Sequence, residues 1–313
     1  MSEADLLAHI QRRSRDLTNL AGHFGEIVVG PGDDCAVIRE PGPPAGLLVI
    51  GVDQLVEGRH YELGTDLDLF ARKAVARAVS DIAAMGARPA WALATGILPD
   101  GFTQGDALFD AMARWARRFA CPLIGGDIAF GPKDAPLSLT VTAAGRMDPG
   151  LVPLLRSGAR PGDEIWLTGP VGGSFESGWH LRFEPRVDAG LAAAASGRVH
   201  AAIDLSDGLG RDAARVGAAS GVRLEIEAAR LPISPRSRDW RAAASEGEDY
   251  ELLLCAAPRS PGDAAPPFHA EPGLLGPIGL VRACAAGEPP GATIIDPHGV
   301  GHEAGNLGWD HGG

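Results

Sequence analysis

Residues 69–86 read Leu-Phe-Ala-Arg-Lys-Ala-Val-Ala-Arg-Ala-Val-Ser-Asp-Ile-Ala-Ala-Met-Gly. Within this stretch Phe70, Ala74, Ala78, Ile82 and Met85 recur at spacings of three and four, the repeat of an α-helix that buries one stripe. Gly86 supplies the left-handed residue on which such a helix stops. This is the clearest helix in the chain, and the rest of the first half is arranged around it. Upstream, Leu47-Leu48-Val49-Ile50 reads as a buried strand and residues 4–18 as a helix. Downstream, Leu108, Met112, Trp115 and Phe119 predict a helix from Asp106 to Phe119, and the alternation from Leu137 to Ala143 predicts a half-buried strand.

Between Gly145 and Gly162 the composition shifts to Gly, Pro and Arg, as expected of a connection between compact units. The expected division is therefore 1–148 and 149–313. The second half restarts with the strand-like Glu164-Ile165-Trp166-Leu167-Thr168 and alternates helix and strand as far as Leu254. Residues 258–290, rich in Pro and Gly, read mostly as loop and edge structure. The fold class is α/β (α+β) with two domains, an expectation that also suits a chain of 313 residues, beyond the size at which one core stops growing.

A 45% hydrophobic and 22% charged composition is that of a globular protein with a sizeable core. The formal net charge of −12 disfavours a nucleic-acid or anionic-membrane partner. Cys35, Cys121, Cys255 and Cys284 are widely separated and form no Cys-x-x-Cys pair, so zinc knuckles and a disulfide framework are not indicated. With an acidic start and no apolar run long enough to span a bilayer, a cytoplasmic location is expected.

The informative feature is a set of carboxylates beside glycine or at the ends of apolar runs: Asp33, Asp34, Asp53, Asp81, Asp127, Asp204, Asp207, Glu248 and Asp249. If several converge, cations must hold them together, and an all-oxygen set selects Mg²⁺, Mn²⁺ or Ca²⁺. Each has a plainer explanation: Asp beside Gly is ordinary turn chemistry, and Asp81 could pair with Arg77 four residues earlier on a helix surface. Neither a Gly-x-x-x-x-Gly-Lys-Ser/Thr loop nor a Gly-x-Gly-x-x-Gly is present. The two lysines, Lys73 and Lys133, lie in a helix and a Gly-Pro turn, so phosphate charge must be met by metal and arginine. Ser206-Asp207-Gly208 opens a helical stretch whose N–H groups could face an anion, although a plain N-cap explains these residues as well.

Taken in order, the segments Gly32-Asp33-Asp34-Cys35-Ala36-Val37, Asp53-Gln54-Leu55-Val56-Glu57-Gly58-Arg59-His60, Ser80-Asp81-Ile82-Ala83-Ala84-Met85-Gly86-Ala87, Gly125-Gly126-Asp127, Arg156-Ser157-Gly158-Ala159-Arg160-Pro161-Gly162-Asp163, Ile203-Asp204-Leu205-Ser206-Asp207-Gly208 and Gly247-Glu248-Asp249-Tyr250-Glu251-Leu252 resemble the thiamine-monophosphate kinase family. That family belongs to the aminoimidazole-ribonucleotide synthetase (PurM-like) superfamily. The resemblance implies a two-domain PurM-like architecture and a homodimer formed through the N-terminal sheet. It implies Mg²⁺-assisted transfer of the γ-phosphoryl of ATP to thiamine monophosphate, with Asp34, Asp53, Asp81, Asp127, Asp204 and Asp207 as metal ligands. Gly126, Asp127, Arg156 and Ser206 would lie near ATP, with Asp127, Asp207 and Arg156 acting in catalysis. His60, Glu248 and Trp309 would meet the acceptor, Trp309 by stacking on its pyrimidine ring. Val52, Ile128 and Ala129 depart from the family's hydroxyl residues, which leaves open another small phosphate or amide acceptor in the same superfamily, or a non-catalytic nucleotide-binding homologue.

Overall fold

The computed structural model describes residues 9–10, 12, 21–22, 25–42, 45–259, 265–270 and 273–308. The N-terminal helix expected over 4–18 and Trp309 fall almost wholly or wholly outside them. Among the described residues the chain forms two seven-stranded sheets. The first has the order β1 (Ala21–Gly22), β2 (Gly25–Val29), β3 (Ala36–Arg39), β4 (Leu47–Val56), β7 (Ser138–Arg146), β5 (Arg88–Pro99), β6 (Leu123–Gly131). Every pairing in it is antiparallel except β5 with β6, which are parallel and joined across the helix α2 (Gly105–Arg118).

The signature stretch is α1 (Leu67–Ala84), whose Asp66 N-cap accepts from the N–H groups of Asp68 at 2.9 Å and Leu69 at 3.4 Å. Gly86 takes φ 68°, as the stop requires. The one-stripe reading understates its burial, since from Phe70 to Ala84 only Asp81 is not buried. The reason is that a second layer covers its other side: α1 packs on β4 and β7 and also on α3 (Val187–Ser196) and β9 (Val199–Asp204). The charged side chains that α1 buries, Arg72, Lys73 and Arg77, are each ion-paired, and its many alanines let neighbours approach from both sides. Gly190 of α3 makes this explicit, because a Cβ there would stand 2.0 Å from the carbonyl oxygen of Ala83.

The second sheet has the order β14 (Gly301–Glu303), β13 (Gly291–Ile295), β10 (Arg223–Glu227), β12 (Leu275–Arg282), β8 (Glu164–Leu167), β11 (Leu252–Ala256), β9. Its buried side chains, among them Ile165, Leu167, Ile203, Leu224, Ile226, Leu253 and Ile294, form a core with α4 (Leu209–Ser220). One expectation is corrected here. Residues 275–282, read as loop or edge, are an interior strand paired with both β8 and β10. Pro277 disguised it, yet it falls where the register against β8 breaks between Leu275 and Gly279, a place where a missing N–H interrupts no ladder.

Candidate active site at the junction of the two sheets

Three carboxylates converge where α1 passes between the sheets. Asp34 comes from the loop between β2 and β3, Asp81 from the last turn of α1, and Asp204 from the end of β9. Each offers one oxygen, and these atoms lie within 4.8 Å of one another. All three are held above the ordinary carboxylate range. For Asp81 the causes are burial and then the charges of Asp53, Asp204 and Asp34; for Asp204 burial leads, followed by the charge of Asp34. For Asp34 burial outweighs the opposing charge of Arg156.

Neighbouring groups fix the cluster. Arg156, in the connection between β7 and β8, donates to Asp34 Oδ1 from Nε at 2.9 Å and Nη2 at 2.5 Å, and its backbone N–H donates to Asp33. Ser80 Oγ donates to Asp204 Oδ2 at 2.7 Å. Burial and the Asp34 charge push Asp33 up to about 6. At Gly51 a Cβ would stand 2.8 Å from Cys35 Sγ and 3.3 Å from Asp81 Oδ2, so a bare backbone keeps the space beside the cluster open.

Asp34 Oδ2 is buried and has no hydrogen-bond partner, the signature of an oxygen reserved for something outside the protein. Three mutually repelling carboxylates with an unpartnered oxygen fit a hard divalent cation such as Mg²⁺. The surface-pair explanation for Asp81 fails, because Arg77 is buried and donates instead to Asp53 Oδ1 at 3.2 Å and to the carbonyl of Gln54 at 3.0 Å.

The other expected residues divide into groups. Asp53 lies beside the trio, its charge acting on Asp81, Asp34 and Asp204. Asp207 is ion-paired with Arg215, which also holds Asp212 at 2.7 Å, while the Asp207 N–H donates to Asp212 Oδ2 at 3.0 Å. The plain N-cap reading of Ser206 and Asp207 does not hold, because the N-cap of α4 is Gly208 and no side chain caps it; the Asp207 N–H just upstream is taken by Asp212. Asp127 and Gly126 are exposed on β6. Asp127 is aligned with Thr95 and Thr95 with Thr140, which faces Gln54, whereas Asp53 is aligned with the buried Val141. Within one chain, then, Asp127 stands on the outer face of the first sheet and the trio on the inner side.

A cleft of about 170 Å³ is lined by Arg59, Phe175, Glu176, Ser206, Glu246, Gly247 and Glu248. Two expected residues border a buried ion pair behind it. Lys73, with a side chain 0% exposed, reaches Glu248 Oε2 at 2.5 Å, the carbonyl of His60 at 2.6 Å and His180 Nδ1 at 2.6 Å. His60 Nδ1 accepts from the Val56 N–H at 3.0 Å, and Tyr250 donates its hydroxyl to Glu248 Oε2 at 3.0 Å. Burial lowers Lys73 to about 8; Glu248, which burial alone would raise, is pulled down to about 2 by Lys73 and Arg77. The pair is therefore ionised across the neutral range. Sequence reasoning set Lys73 aside as a helix residue and passed over Arg215, although the spacing of Asp212 and Arg215 on one helix face was a usable signal.

Comparison with known proteins bears on this geometry. Residues 32–147 match the family described as AIR synthase related protein, N-terminal domain. The thiamine-monophosphate kinase of Rhodopirellula baltica is 37% identical over 273 residues, 82% of this chain and 82% of that protein. The crystal structure of thiamine-monophosphate kinase from Stenotrophomonas maltophilia is 31% identical, with a TM-score of 0.67 over 94% of this chain and 97% of that one. The fold is also that of AaThiL complexed with AMPPCP and TMP, at a TM-score of 0.78 and 24% identity over 99% of this chain and 97% of that one.

Proposed function

The chain belongs to the thiamine-monophosphate kinase family, and on that premise we propose that it transfers the γ-phosphoryl group of ATP to the phosphate of thiamine monophosphate. The observation that carries the reading is the trio Asp34, Asp81 and Asp204, contributed by both halves of the chain and containing an unpartnered buried oxygen. A divalent cation held there would neutralise phosphate oxygens and align donor with acceptor.

The protein's own part is to hold and shield. Arg156 locks Asp34 in place and brings a guanidinium to the same edge of the cluster; Ser80 orients Asp204; Arg215 keeps Asp207 and Asp212 together at the start of α4. No general base is required, because a phosphate monoester with a second pKa of about 6 is already an anionic nucleophile at neutral pH. That fits a site in which charge is arranged rather than protons moved. Ser206 and Glu248 line the adjoining cleft, which we assign to the acceptor. Purified protein should release ADP from ATP only when both Mg²⁺ and thiamine monophosphate are present; ADP release indifferent to that acceptor would sink the assignment.

We further propose that units 1–148 and 149–313 act together in a homodimer formed through the outer face of the first sheet. Supporting this, Val52, Leu93 and Ile97 are large apolar residues left 38–63% exposed on β4 and β5, on the same face as Thr95, Thr140 and Asp127. Covering that face would enclose Asp127. Light scattering should therefore return twice the chain mass. Asp127→Asn should leave that mass and the melting temperature unchanged while lowering turnover about a thousandfold, beyond the roughly 10–100-fold that an indirect change around a metal usually costs. Unchanged turnover removes Asp127 from the site.

A further inference from the structure

Resting on the acceptor assignment above, one residue of the cleft acquires a role that the phosphoryl chemistry does not use. Phe175 is 38% exposed and lines the cleft beside Ser206 and Glu248. One face of its ring is taken: it stacks on the imidazole of His180 with centroids 4.4 Å apart and planes 25° from parallel. Its exposed surface therefore belongs to the opposite face and the edge. An aromatic held open in a cleft forgoes the burial that would otherwise stabilise it.

The ring is backed by rigid structure. His180 is buried, its Nδ1 receives Lys73 Nζ, and Arg72 of α1 donates to the carbonyls of Leu181 at 3.2 Å and Phe183 at 2.5 Å. Burial and the adjacent Lys73 hold His180 down to about 3, so the imidazole behind the ring is neutral. Of the cleft's carboxylates, Glu248 is paired with Lys73, whose Nζ also lies 5.9 Å from the Phe175 ring centroid, and Glu246 stands 3.5 Å from Arg238, which leaves Glu176 and Arg59 as the other charged side chains of its described lining. An open π face attracts a cationic aromatic ring. Thiamine monophosphate carries such a ring in its thiazolium, whereas the adenine of ATP is neutral.

We propose that Phe175 is a specificity-determining residue whose open face receives the thiazolium ring of the acceptor, with His180 as the positioning residue behind it. Steady-state kinetics on the full chain test this. Phe175→Ala and Phe175→Leu should each raise KM for thiamine monophosphate about tenfold, and Phe175→Tyr should stay within about twofold. KM for ATP and kcat at saturation should not move in any of the three. An unchanged acceptor KM in Phe175→Ala, or a parallel rise in KM for ATP, overturns the assignment. So does a Leu variant with wild-type KM, which would reduce the ring to apolar packing. If the unmodified chain turns over thiamine monophosphate and Phe175→Ala matches it, only this proposal falls; if the unmodified chain releases no ADP with that acceptor, the functional reading falls and takes the proposal with it.

Discussion

Asp204→Asn is expected to cut phosphoryl transfer by about a thousandfold while making the metal-free protein more stable. The two effects have opposite signs because the cluster is built for a cation that the protein alone does not supply. Burial and the Asp34 charge hold Asp204 well above the usual 3.8 of an aspartate. A carboxyl group whose folded value lies above its unfolded one contributes stability in full below about 3.8, and that contribution drains away as the pH rises through the folded value. Asparagine has no charge to bury and keeps an oxygen for Ser80, so the variant escapes this loss, and its advantage in melting temperature should grow with pH. Mg²⁺ should then stabilise the unmodified chain more than the variant, since binding to the folded state alone raises its stability. Thermal melts across pH, with and without Mg²⁺, read all of this. A variant that melts lower than the parent in the absence of metal, or that keeps turnover within tenfold, would show the cluster to be structural.

What could be read from the sequence followed from whether a signal was local. The repeat of Phe70, Ala74, Ala78 and Ile82 lies within one helix, so α1 and its Gly86 stop were legible from residue order alone. The grouping of Asp34, Asp81 and Asp204 was not: it depends on a loop, a helix end and a strand end meeting across two sheets, and only the resemblance of their motifs brought them together in advance. That resemblance carries no information about which side of a sheet a residue occupies within one chain. Asp53 and Asp127 were placed in one ligand set, yet strand alternation puts them on opposite faces of the first sheet. The interior strand β12 was missed because Pro277 and its neighbouring glycines mimic a loop, and the bulge that accommodates them is a tertiary feature. Lys73 was the costliest oversight. A helix carrying Ala and Val on nearly every side has no solvent face to offer, so a lysine within it must be buried and partnered.

Lys73→Met should accordingly produce the largest loss of stability among these substitutions. Met fits the volume of the aliphatic stem but leaves Glu248 without the ammonium 2.5 Å away, while its side chain is only 14% exposed. Removing one partner of a buried ion pair costs about 3–5 kcal/mol, most of it from stranding the other charge. Tyr250 still donates to Glu248, and Arg77 contributes charge from a distance, so the lower end of that range is expected. Lys73→Met combined with Glu248→Gln should recover much of the loss, because a neutral amide has far less to lose by burial. Catalysis should not recover with it, since Glu248 lines the acceptor cleft and its charge is gone. Acid titration provides an independent reading. Glu248, drawn from 4.5 to about 2, contributes stability that is present above 4.5 and lost as the pH falls through about 2, and this acid-labile fraction should be missing from the double variant. Denaturant melts of the three proteins decide the matter: a single variant as stable as the parent, or a double variant no better than the single one, would mean that the pair is not what holds His60, Glu248 and His180 together.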